Sequence, residues 1–209
     1  MGAYKSSYLI RNNLTVNASE QDILNCAGAG TCGGGWYDPV FDFMLTNGVA
    51  SETAEPYQAL DGFCAAGNNK LYRAINWGFV TAKYEIPSVS EIKDALYQYG
   101  PLSVAVNATP AFQAYTGGVF NENSSGNINH AVTIVGWDDE KHAWLIKNSW
   151  GIWWGENGYM WIDYDSNKIG YAATWVQAQT RYYKIPEYLI VLLEERYEFI
   201  QPFYAIKEE

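Results

Sequence analysis

Cysteine, histidine and cationic side chains are scarce in this sequence, and each scarcity excludes something. Among 209 residues there are three Cys and two His, and Lys plus Arg reach 13 against 23 Asp plus Glu, a formal charge of −10. A nucleic-acid partner would need a basic stripe to neutralise phosphates, and none is present. Neither a metal nor a cofactor is expected. No apolar run reaches the roughly 20 residues of a bilayer-spanning helix, so no membrane span is expected either. The first residues lack the basic, apolar and cleavage-site order of a secretory signal. Internal repeats and low-complexity linkers are absent as well.

What is present is apolar and aromatic. Hydrophobic residues make up 48% of the chain, and nine Trp, 17 Tyr and eight Phe argue for packed structure against disorder. The length suits one compact domain or two intimate lobes. Tyr4 to Arg11 is helix-like, and Ser19-Glu20-Gln21-Asp22 ahead of Ile23 and Leu24 is a helix start with Ser19 as the cap. A second helix is predicted with Asp38 as its cap, Pro39 in the first position and Asn47-Gly48 as its stop; Val40, Phe41, Met44 and Leu45 form its buried face. Residues 51–85 read as loop-rich. Ser88-Val89-Ser90-Glu91 is a capping box opening a helix through Ile92, Ala95, Leu96 and Tyr99 that stops at Gly100-Pro101.

The pattern then changes to strands, at 102–106, 131–137, 143–147 and 159–164, with a polar hairpin turn at Asp138-Asp139-Glu140-Lys141. Helices first and strands later predict segregated layers, an α+β fold. The expected division is a helical lobe at 1–86, a β-rich lobe at 87–179 and a C-terminal extension at 180–209, where Leu189 to Leu193 reads as an appended helix or strand. Four sequons, at Asn13, Asn17, Asn107 and Asn123, permit glycosylation in a secreted eukaryotic protein without arguing for it. The odd count of Cys26, Cys32 and Cys64 fits free thiols in a reducing compartment, or a cysteine with its partner elsewhere in an oxidising one.

Of the two histidines, His142 reads as an exposed residue beside the hairpin turn. His130 opens an apolar strand directly after the Asn- and Gly-rich loop 123–129, a place from which a side chain can act on a ligand. The segment Asn148-Ser149-Trp150-Gly151, followed by Trp154-Gly155-Glu156-Asn157-Gly158-Tyr159, resembles the Asn-box of the papain and cathepsin family of cysteine peptidases. Asn129-His130-Ala131-Val132 is similar to that family's His-box. Ser19 to Cys26, Cys32-Gly33-Gly34-Gly35, Gly100 to Val104 and Tyr115 to Phe120 match further landmarks in the same order, so the resemblance covers about residues 1–176.

The resemblance implies a papain-like two-lobed fold with a β-barrel-like second lobe, and hydrolysis of peptide bonds in an inter-lobe cleft. His130 would be the base, Asn148 its orienter, and Trp150 and Trp154 the shield over their hydrogen bond. Gly34 and Gly35 would pair with the backbone of an extended peptide, and Trp36, Ala105 and Asn129 would line the adjoining pocket. Cys26 would pair with Cys64, leaving Cys32 unpaired. The compartment implied is secreted, periplasmic or lysosome-like. One part is missing: the family's catalytic Cys precedes its His by about 130–150 residues, which places it about half a dozen residues before Met1, with the oxyanion glutamine further upstream. Residues 1–209 are therefore expected to be inactive alone, with a missing segment or a partner covering the start of the first helix. A non-catalytic peptide-binding relative is the alternative.

Overall fold

The computed structural model describes residues 1–65, 67 and 69–180. The expected extension beyond Thr180, including Leu189 to Leu193, lies outside the described residues.

Helix α1 (Gly2–Asn12) buries Ala3, Tyr4, Ser7 and Tyr8, a face repeating every four residues, and ends where Asn13 turns left-handed at φ 50°. Helix α2 (Glu20–Cys26) starts as its sequence indicates, the Ser19 hydroxyl accepting the Asp22 amide at 2.9 Å. A short ribbon follows, β1 (Gly30–Thr31) against β2 (Gly34–Gly35). Helix α3 (Tyr37–Thr46) begins earlier than predicted. Trp36 occupies the cap position without a side-chain bond, and Asp38 lies inside the first turn. The Asp38 carboxylate instead takes Lys83 at 2.7 Å, while remaining close to the positive helix end. Pro39 is tolerated because amides of the first turn have no intrahelical partner anyway. Phe41 and Met44 are buried, and Val40 and Leu45 are half-buried.

Residues 51–85 contain a strand that the loop-rich reading missed, β3 (Ala74–Phe79). Ile75, Trp77 and Phe79 do alternate, but a register shift between Ala74 and Asn76 and a glycine at 78 interrupt the pattern. Gly78 is required: a Cβ there would lie 2.8 Å from the Trp175 ring. Helix α4 (Val89–Tyr99) carries the complete capping box, Ser88 and Glu91 each bonding the other's backbone. The Ser88 hydroxyl and amide hold the Glu91 carboxyl below its usual range.

The remaining elements are β4 (Leu102–Val106), α5 (Pro110–Gln113), β5 (Val119–Phe120), β6 (His130–Asp138), β7 (Ala143–Lys147), β8 (Tyr159–Asp163) and β9 (Tyr171–Ala178). They form, with β3, a seven-stranded sheet in the order β3-β9-β4-β6-β7-β8-β5. The pairs are antiparallel except β5 with β8. The expected barrel-like closure is not formed: β3 and β5 are the two edges of an open sheet. One apolar core lies under α4, around Phe112, Trp144, Ile146 and Met160. A second gathers Tyr4, Tyr8, Phe41 and Met44 against Val176 and Ala178, so β9 serves both. Among the sequons, Asn107 is buried, its amide donating to the Asn127 carbonyl. Among the described residues no helix is long and apolar enough to cross a membrane.

Cys26 and Cys64 form a disulfide across a separation of 38 residues, tying α2 to the loop before β3. Replacing both by Ser is expected to lower stability by about 4 kcal/mol on chain-entropy grounds, and Ser88→Ala by about 1 kcal/mol through the lost cap. Urea unfolding midpoints, with the variants' slopes compared, check both.

Candidate active site

The β6–β7 hairpin assembles the site. Thr133 pairs with Lys147, and the same antiparallel register, continued past the strand ends, carries residues 148–150 alongside 130–132. The Asn148 amide is pinned to the Gly158 carbonyl at 2.9 Å, which holds the chain as it leaves β7. His130, at the start of β6, faces this turn and is also held from the other side, since β4 pairs Val106 with it.

His130 Nε2 lies 2.8 Å from Asn148 Oδ1. The same oxygen accepts the Ser149 backbone N–H at 2.8 Å. A backbone N–H can only donate, so this atom of the Asn148 amide is its oxygen, and Nε2 must donate to it. The neutral ring therefore carries its proton on Nε2 and leaves Nδ1 as a lone-pair base. Asn148 is buried, and its Nδ2 has no partner among the described residues.

Aromatic rings close over this pair. Trp150 stacks on the imidazole with centroids 4.6 Å apart at 26°, and Trp154 meets Trp150 edge-on at 5.2 Å. Phe112 was not singled out in the sequence, yet its buried ring touches all three, 6.3 Å from His130, 5.8 Å from Trp150 and 5.7 Å from Trp154. The available signal was Thr109-Pro110, a cap and first-position proline that start the short helix carrying it. Burial lowers the His130 pKa from its ordinary 6.5, and the Asn148 hydrogen bond opposes that shift.

The other residues with expected roles fall in different places. Gly34 and Gly35 are exposed on the β1–β2 ribbon, and Gly35 has a local reason to be glycine, because a Cβ would lie 2.5 Å from the Ala29 carbonyl oxygen. Gly35, Trp36, Cys32 and Ala131 line a cavity of about 410 Å3. Trp36 packs edge-on against Tyr84 at 5.4 Å and Tyr37 at 6.0 Å. A neighbouring cavity of about 440 Å3 shares Glu20, Tyr37 and Ala131 with it and reaches Met1, Gly2, Asn148 and Ser149. Ala105 is buried in β4, paired with Ala131, and lines neither of these cavities. The Asn129 side chain bonds both polar groups of Ala108, at 2.7 and 3.2 Å, and so braces the loop after β4. His142 lies in the hairpin turn directly before β7, exposed, with Nδ1 3.2 Å from Asp163 Oδ2.

Neither bonded cysteine is a nucleophile. Cys32 is free and exposed, and its thiol is pushed above its ordinary pKa by desolvation and by the Asp61 side chain, the wrong direction for an activated thiolate. Among the described residues, no group of three or more His, Cys, Asp or Glu could hold a metal ion.

A histidine at a strand end is thus held by the buried Asn148 amide and covered by the Trp150 ring. Residues 1–179 match the model of the papain family cysteine protease. The chain is 36% identical over 174 residues to the gamete and mating-type specific protein A of Dictyostelium discoideum, covering 80% of this chain and 37% of that protein. It is 35% identical over 174 residues to the viral cathepsin of Heliothis zea nuclear polyhedrosis virus, covering 81% and 46%. The structure of bromelain protease from Ananas comosus, in complex with the E64 inhibitor, superposes with a TM-score of 0.74 at 33% identity, covering 84% of each chain. The chain belongs to the papain family of cysteine proteases. It spans less than half the length of either of the two sequence relatives.

The lowered His130 pKa has a stability consequence with a definite sign. The unfolded chain binds the proton near pH 6.5 and the folded chain only below that, so stability falls as pH drops through the interval between the two values. NMR titration of His130 is expected to show a midpoint below 6.5 with the proton on Nε2. Asn148→Ala removes the opposing hydrogen bond and is expected to move the midpoint lower still.

Proposed function

We propose that this chain carries the base and orienter of a cysteine peptidase, with the thiol supplied by a segment preceding residue 1. The observation that supports this reading best is the shared Asn148 oxygen, which fixes Nε2 as the protonated nitrogen and leaves Nδ1 free to receive a thiol proton. In the proposed reaction Nδ1 takes the proton of the cysteine, and the thiolate attacks the scissile carbonyl carbon. The C–N bond then breaks, the departing amine receives the proton from His130, and an acyl thioester remains. Water, deprotonated by the same nitrogen, cleaves the thioester and regenerates the thiol. Asn148 keeps the ring in the correct tautomer through both proton transfers, and the Trp150 roof keeps water from competing for its hydrogen bond.

The two adjoining cavities support a cleft for an extended peptide, with residues 1–86 and 87–179 as its two sides. Trp36 and Gly35 stand on one wall, and Asn148 and Ser149 on the other. A second reading, a peptide-binding protein without chemistry, is favoured by the placement of the cysteines, since two are bonded and the third titrates in the wrong direction.

Residues 1–209 purified alone are expected to release no product from fluorogenic peptide amides, whereas the same chain extended at its start by a cysteine-bearing helical segment is expected to be active and blocked by iodoacetamide. In the extended protein, His130→Ala is expected to lower kcat/KM by at least about 1,000-fold. Asn148→Ala is expected to lower it less, with the pH–rate profile shifted. Alkylation-sensitive hydrolysis by residues 1–209 alone would overturn the assignment.

A further inference from the structure

Between α4 and the β3–β9 pair lies a cavity of about 380 Å3 that shares no lining residue with the two cavities described above. Its inner wall is aromatic. Tyr99 stacks on Trp175 with centroids 4.1 Å apart at 9°, and Phe79 extends the wall from the end of β3. The fold fixes this wall. Gly78 pairs with Trp175 across the sheet and has no side chain to hold the indole away, since a Cβ would lie 2.8 Å from the ring. All three rings are only half-buried, so part of each still faces solvent.

The polar rim opposite carries charge of one sign. Glu91, Asp94 and Gln98 are exposed on one face of α4, at spacings of three and four residues. Two of them are carboxylates, and no Lys, Arg or His among the described residues lines the cavity. The lysines nearest in sequence are engaged elsewhere, Lys83 with Asp38 and Lys93 with Asp139. Asp94 has no ion pair among the described residues. Ser88 bonds only Oε2 of Glu91, so Oε1 is left for a ligand.

Unpaired carboxylates beside an aromatic wall suit a cation with a flat face. A guanidinium is planar, stacks on Tyr and Trp, and donates in a fork to carboxylate oxygens, whereas an ammonium has no flat face and is held more strongly by water. We propose that this cavity binds an arginine side chain presented by a peptide or protein. The guanidinium lies against the Tyr99 and Trp175 rings, and its N–H groups donate to Asp94, Glu91 and the Gln98 carbonyl. Because the lining is separate from that of the cavities near Asn148, the site stands whether or not the peptidase reading does.

Amide NMR titration of residues 1–209 with acetyl-Gly-Arg-Gly-amide tests this at the Trp175 indole N–H, a resonance assigned by its loss in Trp175→Phe. The arginine peptide is expected to shift that resonance and to bind about fivefold to tenfold more tightly than the same peptide carrying citrulline, which keeps the shape without the charge. Asp94→Asn is expected to bring the arginine peptide down to the citrulline level. Glu140→Gln is the control, since Glu140 is exposed in the hairpin turn and does not line the cavity. A loss there as large as at Asp94 would mean general attraction to an acidic protein and overturn the site. Absence of binding, equal binding of the arginine and citrulline peptides, or binding that leaves the Trp175 resonance unmoved also overturns it. A lysine peptide binding as tightly as the arginine one overturns the guanidinium assignment. A Trp175 resonance that moves on dilution without peptide means that a second copy of the chain fills the cavity, and overturns the proposal as well.

Discussion

The antiparallel register of β6 on β7 is the constraint on which the site depends. Thr133 opposite Lys147 places the start of β6 beside the residues that leave β7, so the His130 ring, the Asn148 amide and the Trp150 indole meet although 18 residues separate His130 from Asn148. Side chains alternate faces along a strand, so a slip of one residue would turn His130 away from Asn148. The hairpin does contain such an irregularity, between Ile134 and Gly136, but it lies on the turn side of the Thr133–Lys147 pair and leaves the site end in register. Burial of Trp144, Ile146 and Ile134 in the main core holds that arrangement in place.

Asn148 shows how little side-chain chemistry the arrangement needs. One oxygen accepts two donors, and because one donor is a backbone amide the protonation of the other is decided. The stack of Trp150, Phe112 and Trp154 then sets the surroundings in which the imidazole titrates. Burial and hydrogen bonding pull its pKa in opposite directions, and burial wins. The same turn places Trp150 on the imidazole and leaves Ile152 and Trp153 exposed to solvent.

Much of this was legible in the chain. The Ser19 and Ser88 caps, α4 with its stop at Gly100 and the strands at 102–106 and 143–147 were readable because each is set by neighbours within a few residues. His130 and Asn148 were readable through their motif segments. Asp38 has the chemistry of a cap but lies inside the first turn of α3, where its carboxylate pairs with Lys83, 45 residues away. Strand β3 was missed because a glycine and a register shift break its alternation, both of which answer to β9 on the far side of the sequence. Thr109-Pro110 marks the start of the helix that carries Phe112, but nothing local marks the packing of its ring beside His130.

The amino-acid sequence by itself determined the local and covalent choices: where helices start, which segments alternate, and which residue types are available to accept or donate a proton. Those follow from interactions spanning a few residues, which any chain with these side chains would make. The tertiary structure alone decided the tautomer of His130, the bracing use of Asn129, the burial of Ala105, the open edge of the sheet and the exposure of Trp153. Each of these depends on which distant backbone amide, carbonyl or ring arrives within a few ångströms, and that is a property of the packed fold.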